Sequence, residues 1–138
     1  MTSADVQLHV RDAMLPDPHP LAASASAQQA GEALMRPEVR AVLVCDGERL
    51  VGVITRKTLV REVVARGRDP RTTALAEIVE PPNATLDPAM PLVVAYAFLE
   101  RHDLERVPVV ESGRLVGVLS RSVVQRRLAE DEPGDAVE

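Results

Sequence analysis

The sequence has 138 residues, of which 46% are apolar, and it carries a formal net charge of −5. This length fits one compact domain or two very small ones, and with so few aromatic residues the core must consist of Val, Leu, Ile and Ala. An acidic chain without aromatic platforms for base stacking is a poor candidate for binding nucleic acid. No apolar run approaches the roughly 20 residues that span a bilayer, and no secretion signal is recognisable, so we expect a cytoplasmic protein without a membrane partner. The single cysteine, Cys45, excludes an intramolecular disulfide framework and any multi-cysteine metal site.

The first half of the chain begins with a short helix at VRDAM, followed by the proline-rich turn LPDPHP and by Leu21 in a brief extended segment. SASAQQAGEALM predicts the next helix. AVLVC is a short, valine-rich run typical of a buried strand, DGE has the composition of a turn, and LVGVIT follows as the return strand of a hairpin. The helix RKTLVREVVARG completes this half, with Gly67 as its C-terminal cap.

The second half gives the same order of elements. LAEIV predicts a short helix, EPPN a turn, and Leu86 lies in an extended segment. After Pro91, which suits a first helical turn, apolar residues recur at the spacing of one helix face: Leu92, Ala95, Tyr96 and Leu99. RVPVV and LVGVLS then predict a hairpin, and RSVVQRRLAE predicts the closing helix. Each half therefore reads strand, helix, strand, strand, helix.

The strongest internal signal is a stretch that occurs twice, as RLVGVITR at residues 49–56 and as RLVGVLSR at residues 114–121. The copies lie 65 positions apart, and the same offset aligns further pairs such as Leu34 with Leu99. We therefore predict a tandem duplication with these parts: a lead (1–7), repeat 1 (8–72), repeat 2 (73–130) and an acidic, disordered tail (131–138). Because repeats this short are marginal when folded alone, we expect an α+β fold in which two βαββα repeats share one core as a pseudo-twofold pair.

The residues that end each repeat resemble those of a known family. Each copy has a glycine, two apolar residues and a hydroxyl residue, as in Gly52-Val53-Ile54-Thr55 and Gly117-Val118-Leu119-Ser120, and VRDAMLPDP and ERVPVVESGRLVGVL fit as well. The chain resembles a tandem pair of cystathionine-β-synthase (CBS) domains from about Gln7 to Glu130. The resemblance implies an intertwined pair with two clefts, which usually forms a homodimer. It also implies a regulatory function without catalysis, in which an adenosine-containing ligand (AMP, ADP, ATP or S-adenosylmethionine) controls a partner protein.

Thr55 and Ser120 lie where a strand is followed by a helix, and we expect both to cap the helix N-terminus through their hydroxyl groups. A helix start also favours anions, because its free N–H groups and its dipole are positive. Arg56 and Arg121 follow the caps directly. Each guanidinium either holds a phosphate in bidentate fashion or lies on a solvated helix surface, and the sequence leaves both alternatives open.

The chain departs from the family pattern three residues after each cap. The family has an aspartate there, which accepts hydrogen bonds from the ribose hydroxyls, whereas this chain has Thr58 and Val123. A threonine can still bond one ribose oxygen and a valine none. Losing a hydrogen bond to a charged group costs roughly 1.5–3 kcal/mol, so we expect a handicapped site in the first repeat and a weak or empty site in the second.

The resemblance gives the remaining candidate residues. Leu43 and Pro108 would flank an adenine, although ordinary strand packing also explains them. The full set of candidate ligand-binding residues is His19, Leu43, Thr55, Arg56, Thr58, Ala84, Val107, Pro108, Ser120 and Arg121. The chain has no nucleophile–base set, glycine-rich phosphate loop or metal-ligand cluster, so we expect neither an enzyme nor a required cofactor. Cys45 falls in a predicted strand and is expected to be an inert core thiol.

Two hypotheses of different class remain. The first is a stand-alone regulatory module that senses an adenosine nucleotide, as in energy sensing, and passes its occupancy to an unknown partner. The second is a ligand-free dimerisation or scaffold module with degenerate clefts, which Thr58 and Val123 favour. Apolar residues on the helix that ends the first repeat are consistent with a homodimer, but they are equally consistent with packing inside a monomer: Leu59, Val60, Val63 and Val64.

Overall fold

A computed structural model describes residues 7–130. Nearly all of the predicted lead (1–7) and the whole predicted tail (131–138) lie outside the described residues. The described chain divides into two compact units. The first unit consists of residues 19–83, and the second unit consists of residues 7–18 together with residues 84–130.

The helices and strands occur in the predicted order. In chain order they are α1 (Val10–Ala13), β1 (Leu15–Pro16), β2 (Leu21–Ala22), α2 (Ala27–Ala33), β3 (Val42–Asp46), β4 (Arg49–Ile54), α3 (Arg56–Leu59), a π-helical turn (Val60–Val64), a 3-10 turn (Leu75–Glu77), α4 (Leu92–Arg101), β5 (Arg106–Glu111), β6 (Arg114–Ser120) and α5 (Arg121–Glu130). Where the first unit has β2, the second has a single parallel bridge between Leu86 and Val109. The predicted α+β class with two βαββα repeats is confirmed.

Local sequence explains how these elements begin and end. Ser26 caps α2, because its hydroxyl accepts a hydrogen bond from the Gln29 backbone N–H at 3.2 Å while the Gln29 side chain accepts from the Ser26 N–H at 2.9 Å. Pro91 precedes the first turn of α4. In each unit the two long strands form an antiparallel hairpin, β3 with β4 and β5 with β6. The valine-rich segments thus form the hairpins. Along the chain, each hairpin is preceded by one helix and followed by another.

Buried apolar side chains form two clusters, one in each unit. In the first unit the cluster includes Ala30, Val44 and Ile54, and in the second it includes Leu92 and Val109. The expectation of one shared core is therefore wrong. The branched side chains of each hairpin face the helices of their own unit and already form a close-packed interior there.

The opening segments of the two repeats are exchanged between the units. Val10, near the start of the chain, is fully buried in the core of the second unit, and β1 pairs antiparallel with β6 there. Leu75 and Ile78, which begin the second half of the sequence, are buried in the core of the first unit. A backbone bridge between Val53 and Glu80 joins this segment to β4. Each unit is therefore completed by residues from both halves of the sequence.

The two glycines of the repeated stretch make room for these exchanged segments. A Cβ atom on Gly52 would overlap the carbonyl oxygen of Glu80, and a Cβ on Gly117 would lie 2.9 Å from the carbonyl oxygen of Leu15 and 2.7 Å from Met14 Sδ. At the 65-residue offset Met14 corresponds to Val79 and Leu15 to Glu80. The same close approach of a backbone thus explains why both copies of the stretch keep a glycine.

We predict that Gly52→Ala lowers the free energy of unfolding by about 2 kcal/mol or more, because the new methyl group overlaps a backbone oxygen that cannot move alone. Gly117→Ala should cost less, since one of the atoms that it meets belongs to the flexible side chain of Met14. Urea denaturation followed by circular dichroism measures both changes.

The matched control is Gly31→Ala in α2, where the nearest atom to a new Cβ is Leu59 Cδ1 at an ordinary 3.8 Å. This variant should gain roughly 0.5–1 kcal/mol, because alanine is the better helix former. Equal stability of Gly52→Ala and the unsubstituted protein would show that the opening segment does not need the glycine.

Candidate ligand site at the helix starts

In the first unit, the junction between β4 and α3 is a reciprocal cap. The Thr55 hydroxyl accepts from the Thr58 backbone N–H at 3.2 Å, and the Thr58 hydroxyl accepts from the Thr55 N–H at 3.1 Å. The two hydroxyl oxygens are 3.0 Å apart. The predicted N-cap role of Thr55 is confirmed, and Thr58 takes the place that glutamate or glutamine usually has in this motif.

The cap leaves little of Thr58 for a ligand. Its relative exposure is 0%, and its hydroxyl is shared between the backbone and the side chain of Thr55. A ribose hydroxyl would reach this oxygen only if the first turn of α3 opened. The structure therefore gives Thr58 a structural role, whereas the sequence suggested a residual ribose contact.

Arg56 is tied to the end of the preceding helix. Its Nη2 donates to the carbonyl oxygens of Leu34 at 2.5 Å and Arg36 at 2.8 Å. Leu34 is the C-terminal cap of α2, where carbonyl groups lack partners within the helix. A cation is also favourable at this negative end of the helix dipole. Arg56 is an exposed residue and these hydrogen bonds engage its Nη2, so a phosphate contact and a solvated helix surface both stay open as predictions.

In the second unit, Arg121 makes comparable hydrogen bonds, but its side chain bonds to carboxylates. Its Nε donates to Glu105 Oε1 at 3.0 Å, its Nη2 lies 3.4 Å from Asp103 Oδ1, and its backbone N–H donates to the Glu105 carbonyl at 2.8 Å. Partial desolvation disfavours the charged guanidinium, but the two carboxylates outweigh this effect and raise the pKa of Arg121 above its ordinary value. Its charge is thus already compensated within the unit.

The two arginines therefore stabilise equivalent connections in the two units through different hydrogen-bond acceptors. Both directly follow a helix cap, and both bind the connection that leaves the preceding helix of their own unit, after α2 for Arg56 and after α4 for Arg121. A phosphate would have to compete with these internal acceptors. Asp103 and Glu105 were not among the predicted site residues, although two acidic residues shortly before a strand are a visible signal for an arginine partner.

The start of α5 differs from that of α3. Ser120 ends β6, and its hydroxyl oxygen lies 3.1 Å from that of Ser122. Val123, the counterpart of Thr58, is half-buried beside the fully buried Val124. The side chain three residues after the cap is therefore apolar here and offers no hydrogen bond.

The other candidates lie on the strands of their own units. Val107 and Pro108 of β5 are buried opposite Leu119 and Val118 of β6, so they lie near Ser120 at one end of the hairpin. Val107 belongs to the core cluster, as ordinary strand packing predicts. Ala84 is half-buried and precedes by two residues Leu86, whose N–H donates to the Pro108 carbonyl at 3.0 Å.

The first unit places its candidates in the corresponding positions. Leu43 is half-buried opposite Val53 in the hairpin that leads to Thr55. His19 is exposed and precedes by two residues β2, which runs parallel to β3. In both units the candidate residues therefore gather at the end of the hairpin where the last helix begins.

The remaining observations concern Cys45, metal-ligand clusters and membrane-spanning helices. Cys45 is buried in β3, as predicted, and burial raises the pKa of its thiol, which disfavours the reactive thiolate form. Within residues 7–130, no group of three or more His, Cys, Asp or Glu side chains is arranged to hold a metal ion. Over the same residues, no helix is long and apolar enough to span a bilayer.

Two known proteins are similar to this chain in sequence over about three quarters of its length. Hypoxic response protein 1 from Mycobacterium tuberculosis is 28% identical over 102 residues, which cover 73% of this chain and 71% of that protein. The CBS domain-containing protein YhcV from Bacillus subtilis is 25% identical over 111 residues, or 80% of this chain and 79% of that protein.

Two solved structures have a fold similar to that of this chain. A crystal structure of Hypoxic Response Protein I with two coordinated zinc ions superposes with a TM-score of 0.72 at 24% identity and covers 87% of this chain and 98% of that one. CBSX2 in complex with AMP gives a TM-score of 0.69 at 25% identity, with 88% of this chain and 96% of that one covered. The protein-family model of the CBS domain matches twice, at residues 10–65 and at residues 75–130. Since these two matches account for most of the sequence, the chain belongs to the CBS domain family and carries the domain in tandem.

Proposed function

We propose that this protein is a regulatory module that binds an adenosine-containing ligand (AMP, ADP, ATP or S-adenosylmethionine) and passes its occupancy to a partner protein. Pairs of CBS domains are generally regulatory and non-catalytic, and the relative CBSX2 has AMP bound. The observation that carries the proposal is the equivalent gathering of candidate residues in both units, each at a hairpin end beside a helix start.

The residues around these helix starts suggest modest affinity. The Thr58 hydroxyl is already hydrogen-bonded within the cap, and Val123 is apolar. Neither residue offers the carboxylate that the family uses for the ribose. Arg56 and Arg121 already have internal acceptors. Recognition would therefore rest on the strand residues that flank the adenine and on the backbone groups of the helix starts. A ligand that binds in this way regulates only if it prefers one of two conformations of the module.

A ligand-free scaffold is the second candidate function, and particular observations favour it. The hydroxyl and guanidinium groups that survive in both repeats have structural partners, which explains their presence without a ligand. In this case the protein would act through its surfaces alone. The two functions differ in a measurable way, because only the first predicts stabilisation by nucleotides.

We predict that at least one of AMP, ADP, ATP and S-adenosylmethionine raises the melting temperature in a thermal-shift titration. Ligand at 100 times its dissociation constant adds about 2.7 kcal/mol to the free energy of unfolding. Isothermal titration then gives the affinity. A flat response to all four ligands at millimolar concentration, together with no nucleotide in native mass spectra of freshly purified protein, would support the scaffold instead.

We predict that Val123→Asp increases the affinity of the second unit for AMP by about tenfold or more, because it restores a charged acceptor for the ribose. The substitution lies in the first turn of α5, where the helix dipole also favours a carboxylate. Val123→Asn, which has nearly the same shape without the charge, is the matched control and should gain much less. Equal AMP affinities of the aspartate variant and the parent in isothermal titration would contradict a ribose at this position.

We predict that Arg56→Ala lowers the free energy of unfolding by about 1 kcal/mol, because two carbonyl oxygens at the end of α2 lose their donor. Lys57→Ala, at the neighbouring exposed position, should change it by less than about 0.5 kcal/mol. Urea denaturation measures both. If Arg56→Ala leaves stability unchanged but weakens AMP binding, the arginine is a phosphate ligand and the structural tie is unimportant.

A further inference from the structure

The two repeats differ in charge at four matched positions around the hairpin ends where the candidate residues gather. Two of these positions precede the hairpin and two follow the cap of the last helix. In the first repeat they are Glu38, Arg40, Arg56 and Lys57, and in the second they are Asp103, Glu105, Arg121 and Ser122. The first set has one acid and three bases, a net charge of +2, whereas the second has two acids and one base, a net charge of −1. Equivalent sites therefore carry opposite charge.

In the second unit, the excess negative charge lies beside the arginine that follows the cap. Glu105 Oε1 is 3.0 Å from Arg121 Nε, and Asp103 Oδ1 is 3.4 Å from its Nη2. One guanidinium balances only one of the two carboxylates. The side chains of Asp103 and Glu105 are 92% and 64% exposed, so both carboxylates face any ligand group that approaches Arg121. A phosphate at this position would meet like charges, which oppose its binding.

In the first unit, the corresponding charges are positive and are not balanced by acids. Arg56 donates to backbone carbonyl oxygens, which are neutral acceptors, so its positive charge remains. Arg40 and Lys57 are exposed, and neither makes an ion pair within residues 7–130. Arg40 is the direct counterpart of Glu105 at the 65-residue offset. The connection before the hairpin thus favours an anion in one unit and a cation in the other.

The adenosine ligands under consideration differ chiefly in the charge of the group on the 5′ carbon of the ribose. AMP, ADP and ATP carry phosphate anions there, S-adenosylmethionine carries a positively charged sulfonium, and adenosine itself carries a neutral hydroxyl. The adenine and the ribose are common to all of them. Charges that surround the 5′ group therefore decide between these ligands, because complementary potentials provide specificity more than they provide affinity.

We propose that Glu105 and Asp103 make the second unit selective for an adenosine ligand with a cationic 5′ group, of the S-adenosylmethionine class. Arg40 and Lys57 make the first unit selective for an adenosine ligand with a 5′ phosphate. The inference rests on the proposed function, since it concerns the specificity of the same candidate sites. These residues act through the potential that they create and do not need to touch the ligand. Because they are exposed, their discrimination weakens as the salt concentration rises.

Isothermal titration of the full chain with AMP, S-adenosylmethionine and adenosine tests whether the two units prefer different ligands. The proposal expects S-adenosylmethionine to bind protein already saturated with AMP, with nearly the affinity that it has for the free protein. The preference of each site should shrink at high ionic strength, while the affinity for neutral adenosine changes little. Competition of AMP with S-adenosylmethionine for every site overturns the inference alone. Absence of binding by all three ligands overturns the proposed function and the inference with it.

Glu105→Gln tests the second unit, because it keeps a hydrogen-bond acceptor for Arg121 and removes one negative charge. It should lower the affinity for S-adenosylmethionine by about tenfold and raise that of the same site for AMP by about tenfold. The matched control is Glu111→Gln, at the exposed far end of β5, which should change neither affinity. An unchanged ligand preference in Glu105→Gln overturns the proposal.

Arg40→Glu makes the reciprocal change in the first unit. It should lower the affinity of the AMP-preferring site for AMP by about tenfold, whereas Glu105→Gln leaves that site unchanged. The matched control is Arg49→Glu, at the exposed far end of β4, which should have little effect. Circular dichroism checks that each variant is folded. Unchanged AMP binding by folded Arg40→Glu overturns the assignment of the phosphate ligand to the first unit.

Discussion

The close approach of a backbone segment to each hairpin is the constraint on which the structure depends. Gly52 and Gly117 have no side chain because the carbonyl oxygens of Glu80 and Leu15 occupy the space where a Cβ would be. This approach allows β1 to pair with β6 and Glu80 to bridge Val53. The position of the following helix start, where the candidate ligand residues gather, is set by the same hairpin.

The helix starts illustrate how a motif can persist for structural reasons. A hydroxyl followed by an arginine suggests an anion site when only the sequence is known, because both groups bind phosphate well. In this fold the hydroxyl of Thr55 closes a helix turn, and Arg56 and Arg121 hold the end of one helix to the start of another. These internal hydrogen bonds therefore account for the hydroxyl and the two arginines without reference to a ligand.

The helices and strands could be predicted from the sequence because helix and strand periodicity are local properties. The closing helix RSVVQRRLAE coincides with α5, and the spacing of Leu92 and Leu99 matches the buried face of α4. Long-range partners were less accessible to prediction. The acceptors of Arg56 are backbone carbonyls, which have no side-chain signature, and the π-helical turn at Val60–Val64 depends on packing that residue types do not specify.

The exchange of opening segments ties the evolution of the two halves together. Val10 is inherited with the first half of the gene, yet its side chain lies in a core built mainly by the second half, and Leu75 has the reverse position. A substitution in one opening segment therefore alters the packing of a core that the other half of the chain mainly builds. Removal of either half would therefore leave the interior of the other incomplete.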